Sequence, residues 1–90
     1  MRLSSRHQKT LQAIFDNPVR SDVDWKKIES LFTALGAEVS EGRGSRVRVV
    51  LNDVKAVFHR PHPQKETDKG ALKSVRRYLK EAGITPSKFK

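Results

Sequence analysis

The chain has 90 residues, enough for one modest hydrophobic core and too few for two. Hydrophobic residues make up 36% and charged residues 32%, a lean globular balance; with no cysteine, disulfides and thiolate metal sites are excluded. A formal net charge of +9 calls for an anionic partner, and nucleic acid is a commoner one than an acidic protein or a membrane surface. The charge is uneven: residues 60–90 carry nine Lys/Arg against three Asp/Glu, and residues 1–59 carry ten against seven. No apolar run approaches the roughly 20 residues of a membrane span, and "MRLSSRHQKTLQ" lacks the apolar region of a secretory leader. A reducing cytoplasmic setting is expected.

Ser4 or Ser5 caps a predicted first helix reaching about Asp16, with Leu11, Ile14 and Phe15 on one side and His7 on its polar surface. Pro18 ends it. Asp24 caps a second helix whose Trp25, Ile28, Leu31, Phe32 and Leu35 follow the helical period, with Gly36 just past its end. Three short strands are expected next. The first covers Ala37–Ser40 and leads into a glycine-rich turn at Glu41–Gly44; the second covers Ser45–Leu51; the third covers Val54–Arg60 and stops at Pro61 and Pro63. A last helix is expected from Thr67 or Asp68 to Ala82, ended by Gly83, and "TPSKFK" reads as a loose tail.

Alternation fixes how the second and third strands pair. With Asn52 and Asp53 in a tight turn, Val47, Val49 and Leu51 face Phe58, Ala56 and Val54 on an apolar side. The other side then sets Arg46 opposite His59, within about 5 Å between Cβ atoms. Histidine titrates near neutrality and can move a proton at a ribose 2′-OH or a leaving oxygen; arginine can grip a phosphate with two bonds. The competing reading is a basic sheet surface that only holds a nucleic-acid backbone. His59-x-x-His62 is too sparse for zinc, which takes three or four protein ligands, so no metal and no cofactor are expected.

In the last helix Leu72, Val75, Leu79 and Ala82 follow core spacing. Lys69, Lys73, Arg76, Arg77 and Lys80 occupy the remainder, and like charges along a helix repel, which an anionic partner offsets. Gly70 lies in the first turn, where backbone approach to a phosphate is expected. With Arg43, Arg48 and Lys65, the five helical cations complete the candidate RNA-binding set.

Helix, three antiparallel strands and a basic helix is the double-stranded-RNA-binding arrangement, an α+β fold (α-β-β-β-α) with an extra N-terminal helix. Gly44–Ser45 and then "PHPQKETDKGALKSVRRYLKEAGI" resemble the HicA toxins of bacterial type II toxin–antitoxin pairs. The matching features are the Gly-Ser turn, the loop histidine at His62, the helix start Lys69–Leu72 and the ending Ala82–Ile84. On this resemblance residues 1–90 form a single domain, with a helical extension at 4–20 and a HicA-like core at 24–84. It implies a small ribonuclease that cleaves mRNA, inhibits translation and is neutralised by an acidic HicB-type antitoxin. Typical members place the catalytic histidine directly after Gly-Ser, where this chain has Arg46. The candidate catalytic set is therefore His59, with Arg46 across the hairpin and His62 in support. The alternative is a non-catalytic RNA-binding module of the same fold.

Overall fold

Asn52 and Asp53 both adopt positive φ (50° and 67°), the conformation of a two-residue hairpin turn whose twist matches its strands. They join β3 (Arg46–Leu51) to β4 (Val54–His59), and β2 (Glu38–Glu41) lies on the other side of β3 in a three-stranded antiparallel sheet ordered β2-β3-β4. The pairing runs Leu51 to Val54, Val49 to Ala56, Val47 to Phe58 and Arg46 to His59, the register that alternation dictates. The structure is a computed structural model and describes residues 3–89.

Helices cover one face of the sheet. These are α1 (Ser5–Ile14), α2 (Trp25–Ala34) and α3 (Lys69–Glu81), capped by the side chains of Ser4, Asp24 and Asp68. Helices α2 and α3 end alike. Gly36 and Gly83 take positive φ, and the following amides of Ala37 and Ile84 reach back to Phe32 O and Leu79 O. Between the layers Phe58 stacks on Phe32 at 5.7 Å and meets Tyr78 edge-on at 5.6 Å, with Trp25 5.9 Å away. Tyr78 also donates through its hydroxyl to Val54 O, fastening α3 to β4. The architecture is α+β with the double-stranded-RNA-binding order α-β-β-β-α, preceded by α1.

Helix α1 belongs to the same core, since Leu11 and Ile14 are fully buried in one cluster with Ile28, Leu31 and Leu72. Phe15 is half-buried beneath the Arg76 and Lys80 side chains.

Away from the candidate site, the structure departs from expectation in three main places. A pair of two-residue strands, β1 (Val23–Asp24) and β5 (Glu66–Thr67), sets the starts of α2 and α3 side by side. They are too short to show alternation. His7 is half-buried rather than a plain surface residue, and its ring bridges Ser4 Oγ and Ser30 Oγ at 2.9 Å each, joining α1 to α2. The tail is not loose up to Phe89, Lys90 lying outside the described residues: Pro86–Phe89 form a 3-10 turn, and Phe89 packs against the core because its ring has apolar surface to bury.

Candidate functional site

The end of β4 separates two kinds of cation. Arg60 N donates to Ser45 O at 2.9 Å, which makes Ser45–Arg60 a hydrogen-bonded pair. The adjacent Arg46–His59 pair is then a non-hydrogen-bonded one, the type in which facing side chains come closest. Both side chains are exposed on the open face of the sheet, with Arg48 and Val57 as the next pair. Gly42 packs behind Arg46: a Cβ there would lie 3.1 Å from Arg46 Cβ, so the turn approaches the strand as closely as it does because the position is glycine.

Arg60 keeps the core-facing parity of the strand and turns beneath the sheet. Its guanidinium donates to Glu29 at 2.7 and 3.0 Å and to Glu41 at 2.6 Å, and Glu29 also accepts from the Trp25 indole. The hydrogen bonds that Arg60 donates to Glu41, and then to Glu29, raise its pKa; the same pairing holds the Glu41 carboxyl below the usual carboxylate value. This network fixes the point where β4 passes into the loop carrying His62.

Beyond that point lies an open cleft of about 490 Å³ between β4 and the first turns of α3. His59 and His62 both line it, with Val57, Ser74 and Asp68. Arg46 stands outside the cleft on the adjoining sheet face. Among the described residues no three His, Cys, Asp or Glu side chains converge as metal ligands, and no helix is long and apolar enough to cross a membrane.

The basic set divides by structural role. Arg43 in the turn and Arg48 on the sheet are exposed, as are Lys69, Lys73, Arg77 and Lys80 on α3. Lys65 is exposed too, but it lines neighbouring hollows rather than the histidine cleft. Arg76 is spent on the fold. It donates to Ile14 O at 2.9 Å, Asp16 O at 2.6 Å and Asn17 Oδ1 at 3.2 Å, and lies over the Phe15 ring. It therefore anchors α1 instead of standing free for an anionic partner. The start of α3 is taken as well, because the Asp68 carboxylate accepts from Ala71 N at 2.7 Å. A carboxylate there opposes a phosphate, so the backbone at Gly70 is not a phosphate cradle.

The family model of the HicA toxin of bacterial toxin–antitoxin systems matches residues 25–84, from the first residue of α2 to the residue that closes α3. The chain belongs to the HicA toxin family. No curated protein and no solved structure matches it. In this HicA toxin the matched segment holds all of the sheet and the histidine cleft, while α1 lies outside it. Membership makes the protein the toxin half of a toxin–antitoxin pair, so an antitoxin is its partner.

Sequence reasoning missed Glu29, Ser74 and the role of Arg60. Arg60 had left a trace: continuing the pairing one step puts it on the core side, where a charge needs a counter-charge. Glu29 and Ser74 left none, since each enters through the packing of a helix far along the chain.

Proposed function

We propose that this HicA toxin is an endoribonuclease that cleaves mRNA in the cytoplasm and so inhibits translation, without a metal ion. The observation that carries the reading is the Arg46–His59 pair. It is a cation and a proton carrier on adjacent strands, exposed beside a cleft that also holds His62, with neither side chain in an ion pair among the described residues.

In this mechanism the ribose 2′-OH attacks the neighbouring phosphorus and the bond from phosphorus to O5′ breaks. The products are a 2′,3′-cyclic phosphate and a 5′-hydroxyl. His59 takes the 2′-OH proton or delivers one to O5′, a role typically worth ~10²–10⁴-fold in rate. Arg46 holds the phosphate and offsets charge as it builds on the non-bridging oxygens. His62 supports from the loop, and Arg43, Arg48, Lys69, Lys73, Arg77 and Lys80 track the RNA backbone. A HicB-type antitoxin with an acidic surface neutralises the toxin.

The test incubates the purified protein with RNA in EDTA across pH 5–8 and reads the product ends. Cyclic phosphates appearing with a pH-dependent rate support the reading, because a histidine must change protonation during turnover. Cleavage lost in EDTA and restored by a divalent cation overturns the metal-free chemistry. Binding without cleavage under every condition favours the RNA-binding module.

A further inference from the structure

The three-stranded sheet ends in two open edges, since among the described residues no strand lies beyond β2 or β4. Two bonds decide which main-chain groups look outward. Gly42 N donates to Arg46 O, and Arg60 N donates to Ser45 O. In an antiparallel ladder the paired groups alternate, so the N–H and C=O of Lys55, Val57 and His59 point away from β3. On the far side the outward groups belong to Val39 and Glu41. Such a row is a template for another strand.

The edges differ in charge. Strand β2 carries Glu38 and Glu41, whereas β4 carries Lys55, and Arg46 and Arg48 on β3 lie between the two edges. Midway along β4, Val57 is 55% exposed, an unusual position for a large aliphatic side chain in a chain this polar. The edge opens onto the histidine cleft, whose opposite wall includes Ala71 and Ser74 of α3. A strand laid along it is offered an apolar surface by Val57 and counter-charges by Lys55, Arg46 and Arg48.

We infer that the outer edge of β4 is the docking site of the antitoxin, which adds an extended acidic segment there as a fourth strand. Strand addition supplies affinity through main-chain bonds and selectivity through alternate side chains. Acidic residues on that segment choose β4, where Lys55 attracts them, over β2, where Glu38 repels them. A phosphate backbone is a poorer occupant: it offers acceptors to the edge N–H groups but sets oxygens against the carbonyls between them. The added strand runs beside His59 and covers the cleft mouth, so pairing and inhibition are one event. The inference rests on family membership and not on the nuclease reading.

The test uses the full chain, labelled for NMR, with a synthetic peptide of alternating glutamate and valine as the probe. Backbone N-methylation of that peptide on either its pairing or its outer edge gives the controls. The expected result is slowed exchange at the amides of Lys55, Val57 and His59. Methylation on the pairing edge weakens binding by about tenfold or more, as loss of several main-chain bonds requires, and methylation on the outer edge does not. Val57→Pro removes an outward donor and no ladder bond, so it is expected to fold and to bind the peptide several-fold more weakly. Should that variant not fold, the methylated peptides still decide. Equal binding of both methylated peptides overturns strand addition, because charge alone then holds the probe. Protection at Val39 and Glu41 overturns the choice of edge. Protection of the β4 amides by a uridine octamer but not by the peptide assigns the edge to RNA. RNA cleavage with no peptide pairing overturns this inference and leaves the nuclease reading standing; pairing without cleavage does the reverse.

Discussion

At the end of β4, His59 faces solvent opposite Arg46, while Arg60, the next residue, turns under the sheet to Glu29 and Glu41. The same division recurs on α3, where Arg76 grips the main chain at Ile14 and Asp16 and Arg77 stands exposed beside it. One step along a strand or helix thus separates a side chain that holds the fold from one left for a partner. A net charge counts Arg76 and Arg77 alike, and only geometry separates them. The cations available to an anionic partner are therefore fewer than composition implies, and they lie on the open sheet face and the outer stripe of α3.

This division can be broken by substitution. Arg60→Ala removes the guanidinium from two carboxylates, and Glu29 keeps only 21% of its side chain exposed, so an uncompensated charge remains beneath the sheet. Allowing for that partial exposure, the loss is about 2 kcal/mol in urea unfolding, whereas His59→Ala stays within about 0.5 kcal/mol. Equal losses would erase the distinction. Arg76→Ala is expected to cost about 1–2 kcal/mol by freeing α1, and Arg77→Ala almost nothing.

Affinity for RNA should show the reverse order. Replacing Lys73 and Arg77 by alanine lowers the slope of log affinity against log salt by up to about one for each phosphate that is no longer neutralised. An unchanged slope would mean that the outer stripe of α3 faces the antitoxin instead. The smallest effect concerns acid. The Glu41 carboxyl is held below its usual pKa by its bond to Arg60, so its contribution is present above the unfolded value and lost as pH falls through the lowered folded value. Glu41→Gln should therefore narrow the stability difference between pH 7 and pH 3, and an identical difference would show that the pair adds nothing.

Much of this was legible in the residues because it is periodic. Alternation from Arg46 to His59 fixed the register, Asn52–Asp53 marked the turn, and helical spacing with Asp24, Gly36 and Gly83 marked the helices. The β1–β5 pair was not legible, since two residues carry no period. Nor was the gathering of Glu29, Glu41 and Arg60, which depends on how α2 lies against the end of the sheet. The division of the basic helix escaped for the same reason, because Arg76 finds its acceptors about 60 positions back along the chain. At the candidate site the Arg46–His59 pairing could be read from sequence, whereas the cleft shared by His59, His62 and Ser74 required the packing of α3.

The central claim is that the open half of this division carries the chemistry, with His59 as the proton carrier beside Arg46. The direct measurement is RNA cleavage by purified His59→Ala, made alongside its unfolding curve and its affinity for the same RNA. The account predicts an unchanged unfolding midpoint, binding within about twofold, and cleavage lowered by ~10²–10⁴-fold. A folded His59→Ala that binds and cleaves as the parent does would contradict it and move the chemistry to His62.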